Sequence, residues 1–169
     1  MKKKSASSRN SDRRKDMTLN VGDKAPAFKG ETAEGPISLK DLKGSNIVLY
    51  FYPKDDTPGC TIEACAFRDT LPRFKKMNAR VFGVSKDSLQ SHEKFATKYE
   101  LPFTLISDAD GSICDVFDVW KEKSMYGRKY MGIERATYLI DKTGVIRHIW
   151  RNVKASGHAE EVLGAVKSL

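Results

Sequence analysis

Two cysteines five residues apart, Cys60 and Cys65, lie in the stretch FYPKDDTPGCTIEACAFRD (Phe51 to Asp69), directly after the apolar run NIVLY. Cysteine reacts as its thiolate, so its surroundings decide whether it does chemistry. Thr57-Pro58-Gly59 reads as the start of a helix. The threonine can cap, the proline suits the first helical position, and the glycine lets backbone approach a ligand closely. Cys60 then falls in the first turn, where unpaired N–H groups and the helix dipole favour an anion, and a thiolate is expected there.

Ionisation alone cannot make an enzyme. A free thiol of pKa about 8.5 is roughly 3% ionised at pH 7, so lowering the pKa to about 6 raises the reactive fraction at most about thirtyfold. Enzymatic accelerations begin near a millionfold, so the remainder must come from groups that stabilise the transition state. The other reading of Cys60, a small hydrophobic filler, fits its context less well.

Cys65 poses a geometric question. In an intact helix, residues i and i+5 are offset by about 7.5 Å and 140°, which puts their α-carbons roughly 8–9 Å apart. A disulfide needs less than about 7 Å. If these two sulfurs join, the helix between Cys60 and Phe67 has to unwind locally. Cys65 as a core residue stays open at this point. A zinc site does not suit the pattern, because C-x₄-C has no second cysteine pair and the three histidines lack finger spacing.

The elements that must hold this segment can be read on either side of it. Residues 17–44 are turn-rich around short alternating segments and suggest a β-hairpin. IVLYFYP is a strand buried on both faces and closed by Pro53. A helix is expected from about Pro58 to Met77, kinked or split near Pro72. ARVFGVS is a second strand. SLQSHEKFATKYE is an amphipathic helix capped by Ser88 or Asp87, with Leu89, Phe95 and Tyr99 inward. FTLIS is a third strand, DADGSICDVFDVW a turn and short helix, and EKSMYGRKYMG a long loop. ERATYLIDKTGVIRHIW is a hairpin, and HAEEVLGAVKSL a terminal helix. This order implies an α/β domain with a central mixed sheet flanked by helices, its first two long strands parallel. Reactive groups gather at the carboxyl ends of strands in such sheets, which is where Tyr52 to Cys60 would sit.

Composition narrows the partners. Of the formal net charge of +8, residues 1–16 contribute five through seven Lys/Arg and two Asp, leaving +3 for residues 17–169. The body is only mildly basic, so nucleic acid is not expected as its partner. The Ser-rich, charge-dense opening reads as a disordered tail without the apolar core of a secretory signal. No run approaches the roughly 18 apolar residues of a membrane span. A cytoplasmic, reducing location follows as the default, and paired cysteines there point to catalysis.

PKDDTPGCTIEACAFRD resembles the active-site segment of the peroxiredoxins, specifically the bacterioferritin comigratory protein or PrxQ subfamily, whose pattern Pro-x₃-Thr-x₂-Cys with a second cysteine five residues on is filled by Pro53, Thr57, Cys60 and Cys65. The similarity extends through SDADG, VWKEKSMYG and ERATYLIDKTG. It implies a thioredoxin-like fold over residues 17–169 and no metal or other cofactor. It also implies that Cys60 attacks a hydroperoxide and forms a sulfenic acid. Condensation with Cys65 then gives a disulfide, which thioredoxin (or glutaredoxin) reduces. Arg135 is the implied arginine, with Thr57, Gly59 and the Cys60 backbone as further donors and Pro53 as a shield from water. The subfamily resemblance suggests a monomer.

Several residues receive a structural reading. Glu63 and Arg68 are poorly spaced to pair, and Asp55 and Asp56 are expected to face solvent. Cys114 reads as core filler. His92, His148 and His158 read as surface or strand residues. A thioredoxin-like protein disulfide reductase is the alternative, disfavoured by C-x₄-C spacing and by Ala136 where thioredoxins carry a cis-proline. A DNA-associated protein acting through the tail is a third reading.

Overall fold

The structure, a computed structural model, describes residues 18–169. The tail expected at residues 1–16 lies outside the described residues. The elements are strands β1 (Lys29–Thr32), β2 (Gly35–Ser38), β3 (Asn46–Phe51), β4 (Ala79–Ser85), β5 (Thr104–Ser107), β6 (Trp120–Met125), β7 (Arg128–Ile133), β8 (Ala136–Ile140) and β9 (Ile146–Trp150). Helices are α1 (Pro58–Lys76), α2 (Leu89–Tyr99), α3 (Ser112–Val116) and α4 (His158–Lys167).

One seven-stranded sheet runs in the order β2-β1-β5-β4-β3-β8-β9. Its centre is parallel, β3 with β4 and β4 with β5, and its flanks are antiparallel. The continuous apolar run of β3 has the expected cause. Val48 and Tyr50 face one core with α1, α2 and α4, while Ile47, Leu49 and Phe51 face the other with α3.

Helix α1 carries its buried apolar residues at Cys60, Ala64, Phe67, Leu71 and Phe74, the alternating steps of four and three that keep one stripe on the sheet. Burying a phenylalanine of this kind stabilises by about 1.5–3 kcal/mol. That stripe explains why Pro72 does not split the helix, one of the two outcomes expected there. Pro72 is exposed, so water can reach the Arg68 carbonyl it leaves unbonded, while Leu71 and Phe74 hold the chain on either side.

Two other expectations need correction. Residues 122–132 are not a loop: β6 and β7 form a separate antiparallel ribbon in register from Trp120↔Ile133 to Met125↔Arg128. Its turn is Tyr126-Gly127, both with positive φ (52° and 76°), as a two-residue hairpin requires. In α2, Ser88 caps as expected by accepting from the Ser91 N–H. However, Leu89 is exposed, and His92 takes the inward position beside Phe95.

Candidate active site

The loop from Tyr52 to Thr57 leaves the carboxyl end of β3 and turns into α1. The first helical bond runs from the Thr61 N–H to the Thr57 carbonyl, so the Gly59 and Cys60 N–H groups lie outside the ladder. Thr57 occupies the N-cap position, but its hydroxyl does not cap. It donates to the Lys54 carbonyl at 2.9 Å, so Thr57 is not the donor to the site that was expected, and its oxygen is free to accept. Pro53 is half-buried in the same loop.

Cys60 is 1% exposed. Arg135, in the link between β7 and β8, reaches across to it: Nη2 donates to the Cys60 Sγ at 3.3 Å, and Nη1 donates to Glu63 Oε1 at 2.7 Å. Gly59 makes room for this approach, since a Cβ there would stand 3.0 Å from Arg135 Nη2. Burial works against the Arg135 charge, but Glu63 and the Cys60 sulfur outweigh it and raise its pKa.

Glu63 has no exposure at all. Its Oε2 lacks a hydrogen-bond partner among the described residues, as does the hydroxyl of buried Tyr50. Burial raises the Glu63 pKa to about 7 against the lowering pull of Arg135. The Tyr50 phenol is pushed up by burial first, then by Glu63 and Cys60. Lys123 of β6 lies in the same field: burial and then the Arg135 charge lower its pKa.

Cys65 is half-buried on the flank of α1, and Cys60, Cys65 and Cys114 are all free. Glu63 and Arg68 do not pair, as their spacing predicts. Arg68 binds Asp69 and the Tyr99 carbonyl instead.

The aspartates before Thr57 divide. Asp56 is exposed and binds Lys98 and Tyr99. Asp55 is buried, contrary to expectation, and accepts from Tyr52 at 2.6 Å, from Ser91 at 2.7 Å and from His92 Nδ1 at 2.7 Å. Burial opposes its charge, but these donors outweigh it and hold the carboxyl below the ordinary range. Asp87 accepts from the Asp55 N–H and from Ser85, so the Asp55, Asp87 and His92 atoms, which lie within 4.8 Å of one another, are already engaged in pinning the loop to α2.

The histidines also divide. His148 is exposed, whereas His158 is buried against Thr137 and His92 against Asp55. Sequence reasoning missed Glu63, Asp55 and His92 as partners. The available signals were an acid three residues after Cys60 beside the apolar stripe, and a histidine three residues before Phe95.

The AhpC/TSA family matches residues 21–149. Peroxiredoxin Bcp of Bacillus subtilis is 49% identical over 155 residues, covering 90% of this chain and 98% of the relative. The structure of a cysteine-to-serine mutant of Xylella fastidiosa PrxQ is similar with a TM-score of 0.84 at 44% identity, covering 89% of this chain and 96% of that one. Structures of a Xanthomonas campestris bacterioferritin comigratory protein, obtained to study its alkyl peroxide reduction activity, match with a TM-score of 0.80 at 44% identity over 83% of this chain and 90% of theirs. With three quarters of its length matched and relatives near half identical, this chain belongs to the AhpC/TSA family, among its Bcp/PrxQ peroxiredoxins.

Proposed function

We propose that this protein is a thiol peroxidase in which Cys60 reduces hydrogen peroxide and organic hydroperoxides and Cys65 resolves the product. One observation carries the reading: the Arg135 guanidinium donates to the Cys60 sulfur at 3.3 Å, at the first turn of α1. An always-charged, planar donor placed against sulfur can hold a thiolate and hydrogen-bond a peroxide oxygen together.

In the first step the Cys60 thiolate attacks the terminal oxygen of the hydroperoxide. The S–O bond forms, the O–O bond breaks, and the leaving alkoxide or hydroxide takes a proton to become alcohol or water. Arg135 and the Gly59 and Cys60 N–H groups donate to the oxygens as negative charge develops. Thr57, whose own proton is committed to Lys54, accepts from the peroxide hydroxyl. Half-buried Pro53 limits water at the thiolate. In the second step Cys65 attacks the sulfenic sulfur, and the sulfenic oxygen leaves as water. A dithiol protein of thioredoxin or glutaredoxin type then reduces the disulfide. Among the described residues no helix is long and apolar enough to cross a membrane. A cytoplasmic monomer completes the reading.

The test is peroxide consumption coupled to thioredoxin and its reductase, with mass spectrometry of the peroxide-treated chain. The expected result is an intramolecular Cys60–Cys65 bridge. Cys60→Ser abolishes turnover, while Cys65→Ser permits one oxidation of Cys60 and stops cycling. Insulin reduction without peroxide consumption would instead establish a disulfide reductase.

A further inference from the structure

The route from Cys60 to Cys65 passes through Glu63. Both cysteines lie in the unbroken helix α1, where five residues separate their α-carbons by roughly 8–9 Å, beyond the reach of a disulfide. Bringing the sulfurs together moves the backbone of every residue between them. The side chains of Thr61 and Ile62 are already partly or well exposed, but Glu63 and Ala64 have no exposure at all. Ala64 is small, so Glu63 is the side chain that must be extracted. It is seated on Arg135, the same guanidinium that holds Cys60, so one cation fastens both ends of the first turn.

We propose that Glu63 is a positioning residue that acts as a catch on this turn: seated against Arg135 it keeps Cys60 in its reactive pose, and its withdrawal is what lets Cys60 reach Cys65. This rests on the reading of Cys65 as resolving thiol. The groups facing the Glu63 carboxyl are Arg135 from the β7–β8 link, which also binds Cys60, and Tyr50 from β3, which feels Glu63 and Cys60 alike. Lys123 and His158 stand behind Arg135 and feel its charge.

The catch is sensitive to pH, with a definite sign. Only one carboxyl oxygen has a donor, and the other is buried without one, so the neutral acid suits the seat better than the carboxylate. The seated group therefore titrates near 7, above an ordinary glutamate. Its stabilisation of the closed turn is complete below the ordinary glutamate pKa and is lost as pH rises through about 7. Opening becomes easier from mildly acid to neutral pH, and resolution of the sulfenic acid follows.

Hydrogen exchange of the peptide spanning residues 58–67, corrected for intrinsic exchange, tests this in the full chain. It is best carried out on a Cys60→Ser background, so that sulfur ionisation does not enter. The opening constant is expected to rise roughly tenfold between pH 5.5 and 7.5, while residues 68–76 stay unchanged. Glu63→Gln, which fills the same seat without titrating, should flatten the rise, and Glu63→Ala should leave the turn open at every pH. An opening constant independent of pH, or a Gln variant that tracks the parent, overturns the proposal. A bridge located elsewhere than Cys60–Cys65 overturns the Cys65 reading and with it this inference. The right bridge with pH-independent opening removes only the catch.

Discussion

Cys60 and Cys114 make a natural controlled comparison within one chain. Each is the third residue of a helix, each follows a strand and a short loop, and each is almost completely buried. At Cys60 the neighbour is a cation: Arg135 donates to the sulfur, and the nearby N–H groups are uncommitted. At Cys114 the neighbour is an anion. Asp108 already occupies the helix start, accepting from the Ile113 N–H at 3.0 Å and the Cys114 N–H at 2.8 Å. Burial, and then Asp108, push the Cys114 thiol pKa well up. A helix start and burial are therefore common to both cysteines and distinguish neither. The sign of the charge that tertiary packing brings to the sulfur separates them.

The comparison can be broken most directly by exchanging each sulfur for oxygen. Cys60→Ser is expected to lower peroxide turnover at least about a thousandfold, as loss of a nucleophile does, whereas Cys114→Ser leaves it essentially unchanged. Steady-state peroxide assays decide this, and equal losses would erase the distinction. Next in size is the cation. Arg135→Ala should slow Cys60 oxidation by about 10²–10³-fold, the range for removing a transition-state donor. Stopped-flow measurement of sulfenic acid formation reads the effect, and Arg135→Lys should recover only part of it, because an ammonium cannot bind Cys60 and Glu63 with one planar fork.

Asp108→Asn sharpens the other half. An amide oxygen cannot replace both carboxylate acceptors, so denaturant unfolding should show a loss of about 1–3 kcal/mol. Peroxidase activity of the folded fraction should persist, and Cys114 should still resist alkylation while the chain is native. The smallest effect belongs to Gly59→Ala. The new methyl would stand 3.0 Å from Arg135 Nη2 and displace it by a few tenths of an ångström. A loss of about 1 kcal/mol of transition-state stabilisation is roughly fivefold in rate. Stability should hold or rise by up to about 1 kcal/mol, since alanine favours a helix over glycine. Thermal unfolding and kinetics would thus move in opposite directions.

What was legible in the sequence had a local cause. The Thr-Pro-Gly start of α1, the two-faced strands β3 and β4, the Ser88 cap and the hairpin of β8 and β9 all rest on residues within a few positions of one another. The β6–β7 ribbon was not legible, because it lies off the main sheet and exposes most of both faces, so no alternation marks it. Its one local signal is Tyr126-Gly127. Asp55 and Asp56 look alike in sequence, yet only one meets a histidine thirty-seven residues away.

The amino-acid order alone determined that a cysteine stands in the first turn of a helix behind a buried strand, with a second cysteine too far along that helix to reach it. Chain-local propensities and hydrophobic spacing suffice for that. Only the tertiary structure decided that Arg135 lies against Cys60 while Asp108 lies beside Cys114, and that Glu63 is sealed between the two halves of the proposed redox pair. Charge partnership and desolvation depend on which distant segments the packed core brings together, and no property of a residue's neighbours in sequence carries that information.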